Sequence, residues 1–173
     1  RVIKTKIKDL LIIKQKNNID KRGSLRETHN KKVIGHNNFI FEYCTTSKKN
    51  SLRGFHFQHK FQQAKYVSVL KGKILDCVID LRKKSKTFGK YFAIEISQNS
   101  DFSLFIPENF AHGFLCLSRN CGVYYKCSNY RDEKSETTIK WDDKFLNIKW
   151  PIKKPILSKK DKAGLSFDQF IKL

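Results

Sequence analysis

The chain has 173 residues, with 36 Lys and Arg against 16 Asp and Glu, a formal net charge of +20, and five cysteines. That length carries one domain with a real core, and no apolar run reaches the roughly eighteen residues that a spanning helix needs, so no membrane segment is expected. The cysteine count is odd and lacks CxxC spacing, which argues against a disulfide framework or zinc site and for a reducing cytoplasm.

A charge of +20 attracts polyanions. The positive residues are nearly all Lys and are spread along the whole chain, so nucleic acid is not expected as a partner. A basic surface also suits a ligand that carries a diphosphate.

Arg1 to Asn18 alternates Lys with Ile and Leu. It has neither an unbroken apolar core nor a small-residue cleavage site, so it does not read as a signal peptide. Its strand-forming residues, around 2–14, need an edge to cover. Further strands are expected at 39–46 and 52–58. Lys65, Val67 and Val69 then share a face. In Ile74 to Leu81, Leu75, Cys77, Ile79 and Leu81 lie on one face, and Ile74, Asp76, Val78 and Asp80 on the other. Strands follow at 91–97, 102–106 and 112–118, and Val123, Tyr125 and Cys127 share a face. Turns such as Lys71-Gly72-Lys73 and Phe88-Gly89-Lys90 separate them. Ser166 with Gln169 makes a capping box before Phe170 and Ile171, which predicts a short C-terminal helix. Many short strands at this spacing predict an all-β sandwich or jelly roll in a single domain, 1–173.

Several strands carry Lys, His, Asp or Tyr where a small barrel would hold apolar side chains. One such strand reads as a solvated face. Four or five together read equally as a polar ligand cavity, because buried charge is costly unless paired or used. The densest segment is Ser51-Leu52-Arg53-Gly54-Phe55-His56-Phe57-Gln58. A metal-binding jelly roll would place a second His one residue after the first, but Gln58 stands there. His59 would face away from His56 on a strand. His56 and His112 without a carboxylate partner make a poor first-row metal site, so no catalytic metal is expected.

The chain resembles the dTDP-4-dehydrorhamnose 3,5-epimerase family of the cupin superfamily. The resemblance rests on Leu52 through Gln58, Gln63-Ala64-Lys65, Val78-Ile79-Asp80-Leu81-Arg82 and Ser85 through Gly89. It continues in Ile106-Pro107, Phe110-Ala111-His112-Gly113-Phe114 and Tyr125-Lys126, and ends with Trp141-Asp142-Asp143, Ile148 through Pro151 and Leu157 through Asp161. It implies a cupin-type jelly roll of two antiparallel sheets and a cofactor-independent epimerase. The substrate would be a nucleoside-diphosphate sugar with a ketone at carbon 4, in capsule or lipopolysaccharide sugar synthesis. That ketone acidifies the hydrogens on carbons 3 and 5; a base removes one and an acid returns a proton to the opposite face.

The resemblance assigns the base to His56, its carboxylate partner to Asp161, the acid to Tyr125 and the enolate-stabilising cation to Lys65. It places Arg53 at the diphosphate, Lys160 as a second phosphate candidate, and His112 in the sugar pocket. Arg53 and His56 would face oppositely in a regular strand, so both roles together require a bend at Gly54 or a loop there. Asp20 through Glu27 resembles the piece that reaches the partner's active site in a homodimer, with Arg22 and Glu27 as nucleotide contacts. Exchange of the N-terminal strands between subunits is therefore expected.

Several positions depart from the family pattern. Phe41 and Tyr43 stand where a glutamine and an asparagine are usual, and Leu25 replaces an aromatic residue. Thr45 stands for a serine, and the usual Tyr pair reads Tyr130-Arg131. These changes keep the chemistry and alter recognition, which points to a variant substrate such as a GDP-linked 4-keto heptose. The alternatives are the ordinary dTDP-linked 6-deoxyhexose, inversion at C3 or C5 alone, or a non-catalytic sugar-nucleotide binder.

Overall fold

The computed structural model describes residues 1–34 and 38–173. The first sheet has six antiparallel strands. In spatial order they are β1 (Val2–Lys4), β2 (Leu11–Lys14), β10 (Phe102–Ile106), β7 (Lys65–Lys71), β12 (Asn120–Cys127) and β5 (Phe41–Lys48). The second has five: β13 (Glu136–Thr138), β6 (Leu52–Gln58), β11 (Phe110–Cys116), β8 (Lys73–Asp80) and β9 (Tyr91–Ser97). A separate hairpin pairs β3 (Asn17–Asp20) with β4 (Gly23–Arg26). Three short helices, α1 (Lys31–Ile34), α2 (Lys159–Lys162) and α3 (Phe167–Ile171), complete the described residues. None of these helices is long and apolar enough to cross a membrane.

The two sheets pack face to face. Val67, Val69, Leu104 and Val123 of the first meet Ile74, Val78, Phe114 and Cys116 of the second in one buried cluster. The period-two reading of β8 is realised: Ile74 and Val78 face this core, while Cys77 and Ile79 face the other way. That outer face is buried too, under Ile139, Leu146, Phe167 and Phe170 of the C-terminal segment. Burying such an apolar side chain contributes roughly 1.5–3 kcal/mol, which explains why β8 carries apolar residues on both faces. The outer face of the six-stranded sheet is covered in part by Val33, Ile34 and Phe39.

Helix α3 has the expected capping box, with Ser166 Oγ accepting from the Gln169 amide and Gln169 Oε1 accepting from the Ser166 amide. Five residues do not hold a helix alone; Phe167 and Phe170, both buried, dock it on the sheet. The strand expected at 112–118 starts two residues earlier. The turn closes at Asn109 with φ +64, which lets Phe110 enter the strand directly. At its far end the amides of Leu117 and Ser118 both reach the Lys73 carbonyl, so the chain is already turning there.

Strands β1 and β2 complete the six-stranded sheet of their own chain, through β2 against β10. The hairpin β3–β4 is exposed, with Ile19 at 77% and Leu25 at 64%. Arg26 ties its base to the carbonyls of Val69, Gln98 and Ser100.

Candidate active site

Gly54 shapes the strand that carries His56. Its φ is +120, and a Cβ there would lie 2.5 Å from the Gly113 Cα. Gly113 opposite is equally confined, since its Cβ would meet the Arg53 carbonyl at 2.8 Å. The two bare backbones bring β6 and β11 together, and at Gly54 only glycine fits such a close approach at positive φ. Between the pairs His112↔His56 and Phe114↔Arg53, β6 has one residue more than β11. This bulge turns Arg53 to the same side as His56, and both line one cavity of about 430 Å³ between the sheets.

On the five-stranded wall, His56 Nε2 lies 2.6 Å from Asp161 Oδ1. Asp161 sits in the first turn of α2, where Ser158 caps the helix and also donates to Asp161 Oδ2 at 2.8 Å. Burial works against the Asp161 carboxylate, but the hydrogen bonds and charge from His56 and the bond from Ser158 outweigh it, so its pKa is lowered. With Nε2–H donated to an ionised Asp161, Nδ1 of His56 keeps the free lone pair. His112, directly across from His56, forms a second such pair with Asp76 at 2.9 Å, wholly buried.

The facing wall belongs to the six-stranded sheet. Tyr125 of β12 is buried, and burial, with Tyr43 and Asp76 nearby, pushes its phenol well above the usual range. It therefore holds its proton at neutral pH. Lys65 of β7 lies one strand over, with Cys127 as its cross-strand partner. Burial lowers its pKa, opposed by Cys127, Glu136 and Asp76. Among the described residues no carboxylate forms a salt bridge with Lys65.

An aromatic row continues from Tyr125. Tyr43 stacks on it at 4.6 Å and 13°, Phe41 follows at 5.5 Å, and Tyr130 stands 6.0 Å beyond Phe41. Phe41 and Tyr43 thus line the cavity. Arg53 is held by Ser47 Oγ at 2.9 Å and the Thr46 carbonyl at 3.2 Å.

The structure brings together His56, Asp161, Lys65, Tyr125, His112, Arg53, Phe41 and Tyr43. It does not bring Arg22, Glu27 or Lys160 into the cavity lining. Arg22 pairs with Asp20 on the exposed hairpin. Lys160 pairs with Glu136 at 2.9 Å. Glu136 does line the cavity, as does Arg131, which binds it at 2.8 Å. Arg131 belongs to the altered Tyr130-Arg131 pair, whereas Glu136 and Asp76 were not expected. For Asp76 a signal existed: a carboxylate on the same strand face as Ile74 and Val78. His59 lines a different cavity from His56, as opposite faces require. Among the described residues no group of three or more His, Cys, Asp or Glu is placed to share a metal ion.

A proton acceptor held by a carboxylate on one sheet, and a protonated phenol on the sheet opposite, suit proton removal and return on two faces of one carbon. The comparisons agree with that chemistry. Residues 4–169 match the family described as dTDP-4-dehydrorhamnose 3,5-epimerase. A protein of that name from Shigella flexneri is 40% identical over 98% of this chain and 99% of its own. The crystal structure of dTDP-4-dehydrorhamnose 3,5-epimerase from Elizabethkingia anophelis superposes with a TM-score of 0.90 at 37% identity, covering 98% of this chain and 97% of that one. A dTDP-6-deoxy-D-glucose-3,5-epimerase from Legionella pneumophila, solved with dTDP-4-keto-L-rhamnose, gives 0.93 at 35% identity, covering 97% and 93%. The chain belongs to the dTDP-4-dehydrorhamnose 3,5-epimerase family.

Proposed function

We propose that the protein inverts carbons 3 and 5 of a dTDP-linked 4-keto-6-deoxy sugar by proton transfer through an enolate. The observation that carries this reading is the His56–Asp161 pair facing protonated Tyr125 across a cavity that also holds Lys65. His56 Nδ1 takes the acidified proton, and Asp161 stabilises the imidazolium that forms. Lys65 meets the negative charge that develops on the carbonyl oxygen. Tyr125 returns a proton from the opposite wall. Arg53 suits a diphosphate because its fork presents several donors at once. The setting this implies is cytoplasmic synthesis of a surface-polysaccharide sugar, and the five thiols are all free.

A second reading rests on the aromatic row at Phe41 and Tyr43 and the exposed Leu25. Aromatic side chains in place of amides reset discrimination, which led to the expectation of a GDP-linked 4-keto heptose. The relatives described above all carry thymidine names and lend that expectation no support. The thymidine substrate is therefore preferred. In heavy water, dTDP-4-keto-6-deoxyglucose should gain deuterium at both carbons, with a higher specificity constant than a GDP-linked 4-keto heptose. The reverse order would restore the variant substrate, label at one carbon would make the enzyme a mono-epimerase, and saturable binding without exchange would make it a binder.

The working form we infer is a homodimer in which β3–β4 carries Arg22 and Glu27 to the partner's cavity. The support is the exposed hairpin, whose Arg22 lies outside the cavity of its own chain. Sedimentation should find a dimer at micromolar concentration; a stable monomer with full activity would count against it.

A further inference from the structure

A second cavity, of about 450 Å³, lies beside the catalytic one and shares Phe57, Gln58, Gln63 and Lys65 with it. Its other walls come from His59, Gln62, the 81–84 turn, Asn109, Phe110 and Phe170. Among the described residues no Asp or Glu lines it. Among the described residues the ammonium groups of Lys65, Lys83 and Lys84 have no salt-bridge partner, and Lys83 Nζ donates to the Ile171 carbonyl at 3.5 Å. Arg82 beside them is already engaged by Asp80 and Asp9. On the same lining, Gln62 Oε1 is buried without a hydrogen-bond partner. Phe57 and Phe170 supply an apolar wall.

These features specify a ligand. Unpaired ammonium groups with no competing carboxylate select an oxyanion. An orphaned buried carbonyl oxygen is costly and is relieved by a donor such as a hydroxyl. Aromatic walls accept the C–H face of a ring. We infer that this cavity is a second ligand site, and that it takes a hexose phosphate, with the phosphate at Lys83 and Lys84 and a hydroxyl donating to Gln62 Oε1.

Lys65 lines both cavities, so occupancy has a consequence that rests on the enolate role proposed for it. A phosphate in the second cavity draws the Lys65 ammonium away from the reacting carbonyl. The ligand then lowers kcat and leaves KM for the nucleotide sugar nearly unchanged.

The probe is glucose 6-phosphate, titrated by calorimetry against the intact protein and against Lys83→Ala/Lys84→Ala. Both lysines are exposed, so the variant should fold as the parent does. Glucose and inorganic phosphate are the control ligands. The expected result is saturable binding of glucose 6-phosphate that weakens at least about tenfold in the variant, survives saturation with dTDP, and exceeds that of either control. Equal binding to parent and variant, or complete displacement by dTDP, would overturn the site. Binding that leaves kcat unchanged would overturn the link through Lys65 alone. The binding arm needs no epimerase activity, so its failure is distinct from failure of the proposed reaction.

Discussion

His56→Ala should abolish exchange of the sugar's C3 and C5 hydrogens with solvent, a loss of about 10²–10⁴-fold, the usual contribution of a general base. Tyr125→Phe should behave differently. It removes one hydroxyl and keeps the ring that stacks on Tyr43 at 4.6 Å, so the wall of the cavity stays in place. His56 can still remove a proton and return one to the same face. Solvent deuterium then enters the substrate without inversion. Two rates, followed together by proton NMR in heavy water, separate the roles: appearance of label and appearance of the inverted sugar. In His56→Ala both should vanish. In Tyr125→Phe inversion should fall much further than exchange. Near-normal exchange in His56→Ala would remove the base assignment. An equal fall of both rates in Tyr125→Phe would place Tyr125 outside proton return.

The local signals in the sequence carried the strands well. Residues 52–58, 91–97 and 102–106 are strands with the bounds expected, because alternation and flanking turns act over a few residues. The capping box before α3 is also local. What escaped are elements too short for any period to register: β3, β4 and α1, with four residues each, β13, with three, and α2, with four. The last two matter to the site. β13 brings Glu136, and α2 brings Asp161 to His56 across 105 positions of sequence. Asp161 was named from family resemblance, and nothing in Lys159-Lys160-Asp161-Lys162 marks it as buried. Glu136 stands in a polar run and had no signal. Arg53 shows the opposite case. Strand geometry allows it to share a cavity with His56 only if the chain bends at Gly54 or forms a loop there, and of the two the bulge occurs.

Lys65→Met should lower kcat by about 10²–10³-fold, the cost of removing one group that stabilises transition-state charge. Met resembles the lysine stem in volume and brings no charge to bury. A half-buried, desolvated ammonium without a salt-bridge partner is a liability to the fold, so the same change should leave the melting temperature unchanged or raise it. Loss of activity with gain of stability distinguishes a functional lysine from a structural one. The pH dependence adds a second signature. Burial depresses the Lys65 pKa below 10.5. As pH rises through that lowered value the ammonium becomes neutral and the enolate loses its counter-charge, so kcat should fall on the alkaline side before an ordinary lysine titrates. Stability moves the other way. Between the folded and unfolded pKa values the unfolded chain binds more protons at this group, so its contribution to stability rises with pH. The Met variant should lack that rise. A variant that keeps parental kcat, or one that unfolds well below the parent, would show that Lys65 serves the packing of β7 rather than the enolate.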